Sequence, residues 1–312
     1  MKITISGFYD EISSSLDRQI EAIKGYGERY LCPRVIDGKN IADYTADQFE
    51  KTVKPRLLKN GIRFSSIGSP IGKIAVDDDV SYRKQLDQLA ELIAIARSMD
   101  CRYIRIFSFF MPEGENPAVY RDVVMRKMRG FLDVAKDSGV MLLHENEKKI
   151  YGDTPERCLD LYKTLGDRNF ALIYDASNYI QCGVDAWEAY EMVKDYVVYY
   201  HVKDCDRLTG VEVPLGTGDG YYERLFDDLA ARNFEGFATL EPHTAKYAKY
   251  RKLLYFVPFA AFFRKEWFGA FRRTDRKLGY SPFRSITVKD VFDLQYAALR
   301  DYLKRAENER GF

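Results

Sequence analysis

The sequence predicts an α/β chain closed into a (β/α)8 TIM barrel, with an aromatic and basic insertion before the last helix. Three observations predict it. Strand and helix signals alternate eight times with no Pro/Ser-rich linker between them, which implies a parallel sheet that closes. Four apolar runs end abruptly in polar residues: VMLLHENE at Glu145, ALIYDASN at Asp175, VVYYHVKD at His201 and FATLEPH at Glu241. Those four residues are 30, 26 and 40 positions apart, near the roughly 31 residues that one βα unit takes in such a barrel.

The elements follow in order. Ile3 and Ile5 begin a short strand that ends at Gly7, Phe8, Tyr9 and Asp10, and Ser13 to Ser15 cap a helix running to about Tyr26. A second strand over Tyr30 to Val35 leads into a polar turn at Ile36 to Asn40. Thr45 caps the next helix, and Asn60-Gly61 closes it, since Gly takes the left-handed conformation cheaply. Ile62 to Ile67 is strand three; Leu86, Leu89, Ile93 and Ala96 mark a helix by their spacing. Tyr103 to Phe107 is strand four, and Val124, Met128, Phe131 and Ala135 mark the helix after it. The four polar-ended strands complete the barrel, with helices capped at Thr154-Pro155, over Asp185 to Asp195 and over Tyr221 to Arg232. Thr287 and Asp290 form a capping box for a last helix over about 288–307.

The chain is read as one domain, 1–312, with 247–283 inserted. That insertion carries twelve aromatic side chains, and 246–284 has eleven Lys/Arg against two acids. Phe256, Phe259, Phe262, Phe263, Trp267, Phe268 and Phe271 are too many for a solvated loop. The segment is expected to be a helical excursion packed on the barrel, an active-site lid or a subunit interface.

A net charge of +1 gives no global reason to expect nucleic acid or an anionic membrane. No run of 18 apolar residues spans a membrane, and the first residues do not read as a signal peptide. Five widely spaced cysteines without a CxxC pair argue for free thiols in a reducing, cytoplasmic compartment.

Glu145, Asp175, His201 and Glu241 on four successive strand ends form a metal-binding set. Three carboxylates crowded together are costly without a cation. With one imidazole they suit one divalent ion, Mn²⁺ first and Mg²⁺ or Co²⁺ next, rather than a sulfur- and nitrogen-rich zinc site. His144, beside Glu145, is a candidate further base, and His243 follows Glu241 by two. Arg105 points toward the site, because an unpaired Arg inside a barrel is costly. Glu147 shares the facing of Glu145, while Arg34 and Lys73 follow strands two and three on the same face, with Asp37 and Asn40 beside Arg34. Gly216, Gly218 and Gly220 offer backbone N–H groups to a phosphate or form a plain turn.

The ends HENE, YDASN, HVKD and LEPH, with PLGTGDG after the third, resemble the sugar isomerase/epimerase superfamily of xylose isomerase-like barrels, which includes the endonucleases of AP endonuclease family 2. The resemblance covers roughly 1–245. It implies that Glu145, Asp175, His201 and Glu241 bind one divalent metal, that Glu145 and Glu241 act as an acid/base pair, and that Lys203 and Arg207 contact substrate. Asn178 stands where sugar 3-epimerases of the family carry a His, and 247–283 is absent from its compact members.

The expected reaction is proton transfer beside a carbonyl through a metal-stabilised enediolate, giving isomerisation or epimerisation of a small carbohydrate. The alternative is elimination of the aglycone from a 3-oxo-glycoside, as in the metal subunit of a C-glycoside deglycosidase. His144, Asn178 and the insertion favour that alternative, the insertion as a seat for a flat aglycone or a small partner subunit. A homo-oligomer, or a hetero-oligomer through 247–283, is expected. A phosphodiesterase would need more than the three histidines present, and the intact ligand set argues against a non-catalytic sugar-binding barrel.

Overall fold

The computed structural model describes residues 1–166, 169–251, 265–281 and 283–308. Eight parallel strands build the barrel: β1 (Lys2–Gly7), β2 (Tyr30–Leu31), β3 (Arg63–Phe64), β4 (Tyr103–Ile106), β5 (Met141–Glu145), β6 (Phe170–Asp175), β7 (Val197–Val202) and β8 (Glu235–Leu240). Six of them form one sheet in the order β1-β8-β7-β6-β5-β4, and β2 pairs with β3. Backbone bonds close the ring across the short strands: Cys32 N–H to Gly7 O (3.1 Å), Ser65 N–H to Leu31 O (3.0 Å) and Ile67 N–H to Tyr103 O (2.9 Å).

Alternation along each strand sorts the side chains into two cores. One face turns outward to the helices, and Leu142, Leu172, Tyr174 and Tyr200 lie in that large cluster. The other faces the barrel axis, where Leu143, Ala171, Ile173 and Tyr199 pack with Tyr103 and Phe237. The inward rows continue upward by twos. Leu143 leads to Glu145, Ile173 to Asp175, Tyr199 to His201, Phe237 through Thr239 to Glu241, and Tyr103 to Arg105. Register then aligns the tops, since His201 pairs with Asp175 on one side and Thr239 on the other.

Some local readings change. Ser15 precedes the first helix (Leu16–Gly25) without a side-chain cap; the Leu16 N–H is held instead by Asp37 Oδ1 at 2.9 Å. The strand expected to run to Val35 stops at Leu31, and Val35–Ile36 folds back on Lys39–Asn40 as a small hairpin. Strand three is likewise limited to Arg63–Phe64, with a single bridge at Ile67. The helix after Thr45 breaks into Ala46–Thr52 and Lys54–Lys59, with Pro55 in the first turn of the second piece, where no N–H is needed. The capping box at Thr287 and Asp290 forms, and the last helix spans Val288–Asn308.

Of the insertion, 252–264 and Pro282 lie outside the described residues, and with them Phe256, Phe259, Phe262 and Phe263. Its described helices, Ala245–Tyr250 and Lys265–Lys277, share a second apolar cluster of Tyr247, Phe268, Phe271 and Val211. The Arg251 side chain is fully buried there. It donates to Asp275 Oδ1 (2.5 Å), to Ser281 O (2.6 Å) and to Arg284 O. Arg273 clamps Asp206 through Nε and Nη2 on one guanidinium edge (2.6–2.9 Å), and Lys277 donates to Thr217 O. This part of the insertion is packed against the hairpin that follows β7 (Asp204–Asp206 with Val211–Val213). Among the described residues no helix is long and apolar enough to cross a membrane, and all five cysteines are free.

Candidate active site

The upper ends of the inward rows converge. Glu145, Asp175, His201 and Glu241 are each at most 3% exposed, and each offers one donor atom within 4.8 Å of the others. His201 Nδ1 lies 2.7 Å from Glu145 Oε1 and 3.3 Å from Glu241 Oε2. Asp175 Oδ1 caps the turn that follows by accepting the Asn178 N–H (3.0 Å), which leaves Oδ2 for the centre.

Two buried cations share the cluster. Arg105 Nη1 lies 3.0 Å from Glu145 Oε2 and 3.6 Å from Glu241 Oε1. Lys203 Nζ lies 3.0 Å from Asp175 Oδ2 and 3.6 Å from Glu241 Oε2. Phe8 walls the site, edge-on to His201 and under the guanidinium groups of Arg34 and Arg105. Beneath lies a polar floor: Tyr199 OH meets Ser65 Oγ (2.8 Å) and Thr239 Oγ1 (2.5 Å), and Ser65 meets Ser6 (2.6 Å).

The charges answer one another. Burial alone drives a histidine down, yet the carboxylates of Glu145 and Glu241 push His201 up to about 9. Burial drives Glu145 up, but His201 and Arg105 bring it down to about 2. For Asp175 burial prevails over Lys203, with Glu145 and Glu241 adding to it, and the carboxyl rises to about 6. Protons thus take up part of the negative charge that a cation would neutralise. The residues fit a divalent ion on a second ground. Buried Asp175 Oδ2 and Glu241 Oε2 accept no hydrogen bond, although Lys203 Nζ stands near both. Three carboxylates and an imidazole are hard and borderline donors suited to such an ion.

The other candidate residues divide into those at the cluster and those away from it. Arg34 donates to Glu241 Oε1 (3.1 Å) and to Asp10 Oδ2 (2.8 Å). The Asn178 amide donates to Asn146 O at 2.8 Å and reaches Glu145 Oε1 at 3.5 Å. Lys73 pairs with Glu147 (2.9 Å) at the edge, over the Phe107 ring. Arg207 is more than half exposed and paired with Asp185 at 3.0 Å, away from the cluster. His144 is also set apart. One residue before Glu145, it falls on the outward face, with Nε2 2.9 Å from the Ser108 hydroxyl. A Cβ on Gly152 would come within 2.4 Å of its ring, and burial pushes it down to about 3. A base beside Glu145 needs the inward face, and strand alternation denies it to His144. Asp37 and Asn40 serve as caps.

Sequence reasoning missed Asp10, Glu11, Phe8 and Asn146. His243 holds a left-handed backbone (φ 51°) that brings Nε2 to 3.4 Å from Glu241 Oε1 and Nδ1 to 3.0 Å from Glu11 Oε1. The polar tail of β1 was the only signal for Asp10 and Glu11.

The glycine loop corrects one reading. Gly216 and Gly218 N–H donate to Asp204 Oδ2 (2.9 and 3.0 Å), and Gly220 N–H to Asp204 Oδ1 (3.0 Å). The protein's own carboxylate occupies the anion cradle.

A barrel with this site at its carboxyl end matches the xylose isomerase-like TIM barrel family over residues 26–256. The chain belongs to that family. No curated protein matches its sequence. Among solved structures, a D-tagatose 3-epimerase-like protein aligns over 100% of both chains at TM-score 0.69 and 14% identity. An L-ribulose 3-epimerase aligns over 99% of this chain and 97% of its own at 0.67 and 16%. A xylose isomerase-like TIM barrel protein from Mycobacterium smegmatis, in complex with magnesium, aligns over 98% and 97% at 0.64 and 16%. At these identities the likeness is one of fold.

Proposed function

We propose that the protein is a divalent-metal-dependent sugar isomerase or epimerase that moves a proton at the carbon beside a carbonyl. The convergence of Glu145, Asp175, His201 and Glu241 within 4.8 Å carries this reading, and the epimerase names among its structural neighbours support it. Those four residues would hold the ion, Mn²⁺ first because an imidazole beside three carboxylates suits a borderline ion, with Mg²⁺ or Co²⁺ next. Such an ion, when bound, polarises a carbonyl and spreads the charge that builds on it.

The chain's own residues do the rest. Glu145 and Glu241 take the proton from one face and return it on the other. Arg105 and Lys203 hold those carboxylates ionised, the form that accepts a proton. Arg34 and Asn178 stand next to them, placed to meet substrate hydroxyls, and Phe8 keeps water from one wall.

A second reading, elimination of the aglycone from a 3-oxo-glycoside, shares every one of these groups. One observation favours it: an opening of about 350 Å³ beside Glu241, lined by Glu11, Glu212, His243, Ala245 and Lys246, has room for a leaving group.

Proton NMR in D₂O with Mn²⁺ supplied tests both. Deuterium beside the carbonyl of a ketose with a new isomer supports the first reading, and aglycone release supports the second. Glu241→Gln is expected to lower turnover at least about 10²–10⁴-fold with the circular dichroism unchanged. Near-wild-type turnover in that variant would sink the mechanism.

A further inference from the structure

We infer that Asn146 is a positioning residue for the ion: its side-chain amide acts as one further peptide unit of β5 and sets the place of Asp175 relative to Glu145. This rests on the ion-dependent chemistry proposed above.

β5 and β6 run in parallel, with Leu142 opposite Phe170 and Glu145 opposite Ile173. β5 then ends at Glu145, whereas β6 continues for two more residues to Asp175. The outlying peptide groups still need partners, because a buried N–H or C=O left unpaired is costly. On one side Asp175 pairs with His201 of β7. On the other side the Asn146 side chain stands in for the strand that has ended. The Asp175 N–H donates to Asn146 Oδ1 (3.0 Å), and Asn146 Nδ2 donates to Asp175 O (2.9 Å). A primary amide carries the same donor and acceptor as a peptide unit, so the ladder runs one rung past the end of β5.

The same residue helps to aim the Asp175 carboxylate. Asn146 O accepts the Asn178 side-chain amide (2.8 Å), and the Asn178 backbone N–H donates to Asp175 Oδ1 (3.0 Å). The bonds make a closed circuit. It runs from the Asn146 side chain to the Asp175 backbone, from the Asp175 carboxylate to Asn178, and from the Asn178 side chain back to Asn146. All three residues are at most 1% exposed, so bulk water does not take over a broken bond. With Oδ1 held, Oδ2 is left toward the cluster, 3.0 Å from Lys203 Nζ.

Asn146 also follows Glu145 directly along the chain. The circuit therefore fixes two of the four clustered residues, on neighbouring strands, against each other before any ion arrives. Donors already in place lose less freedom on binding, and the groups that orient metal ligands typically change affinity about 10–100-fold. Both halves of the amide are needed. Aspartate accepts from the Asp175 N–H but has no donor for its carbonyl, and alanine offers neither.

The test measures Mn²⁺ affinity by calorimetry on the full chain. The proteins compared are wild type, Asn146→Ala, Asn146→Asp and, as a control for lost stability, Asp275→Ala in the insertion. Both Asn146 variants are expected to bind Mn²⁺ about 10–100-fold more weakly. Asp275→Ala should bind it as the wild type does while melting at a lower temperature. Asn146→Asp keeps size and acceptor and covers the case in which the alanine variant does not fold. Its added negative charge would by itself tighten binding, so weaker binding there reads position and not charge. A further reading needs no variant: the Asp175 amide should exchange slowly in the ion-free wild type, and rapid exchange would overturn the inference. Affinities within about threefold of wild type in both Asn146 variants, well short of the loss such groups cause, would overturn it and leave the proposed function standing. An equal loss in Asp275→Ala would also overturn it, by tracing the effect to stability. A wild-type chain that binds none of Mn²⁺, Mg²⁺ and Co²⁺ would bring down the proposed function and this inference with it.

Discussion

Two side chains, Arg105 and Lys203, carry positive charge into a site that reads as a cation's seat. Arg105 is 4% exposed and Lys203 2%, so each is tolerated only because carboxylates stand against it. Arg105→Met leaves Glu145 and Glu241 with one cation fewer. It is expected to cost about 3–5 kcal/mol in the metal-free protein, and less with Mn²⁺ present, because the ion supplies the missing charge. Urea denaturation of both forms checks this; an equal cost in each would detach Arg105 from the metal's electrostatics. The convergence of Glu145, Asp175, His201 and Glu241 was legible in the sequence because each ends an apolar strand, where period two fixes which side chain faces inward. The same rule read strictly separates His144 from Glu145. Asp10, Glu11 and Asn146 were not legible, since the facing of a loop residue depends on a backbone path that no periodicity encodes.

Asp185, one residue before the helix Ala186–Val193, shows how a loop residue near a barrel mouth serves structure rather than substrate. Its Oδ1 accepts the N–H groups of Trp187 and Glu188, and its Oδ2 meets Tyr221 OH and Arg207. Burial pushes its carboxyl up, but those donors hold it below the usual carboxylate range. Asp185→Ala is expected to cost about 1–2 kcal/mol at neutral pH. A depressed folded pKa gives stability that is present above the unfolded value near 3.9 and is lost as pH falls through the folded one. The gap between wild type and variant should therefore hold from pH 7 to about 5 and close below about pH 4. A gap that widens in acid would refute the capping account. In the insertion, Asp275→Ala strands the buried Arg251 guanidinium and should cost about 3–5 kcal/mol, read by thermal melting. The aromatic excess of this segment announced burial in the sequence; its anchor on Asp206 did not, because an ion pair 67 residues apart has no local signature.

The molecule as a whole is a barrel whose apolar interior supports a polar summit. The alternation of strand and helix signals revealed that plan, while strand length was less legible: β2 and β3 hold two residues each, and the ring closes there through a few backbone bonds. An ion held by Glu145, Asp175, His201 and Glu241 would tie four strands together and would bind only the folded form. At an ion concentration about 100 times its dissociation constant this adds about 2.7 kcal/mol, a shift of about 4 °C for a chain of this size. Chelation should lower the melting temperature by that amount, and re-addition of Mn²⁺ should restore it; no shift would place the ion outside the cluster.

Asp204 has a consequence for motion. A loop that waits for an external anion is loose until the anion arrives, and its amides exchange with solvent in the meantime. The loop from Gly216 to Gly220 carries its counterpart on the same chain, at a concentration no dissolved phosphate can match. Its amide protons should therefore exchange slowly in the ligand-free protein and no more slowly with substrate bound. Whatever part of this molecule moves during a catalytic cycle, the ordering of that loop has been completed during folding.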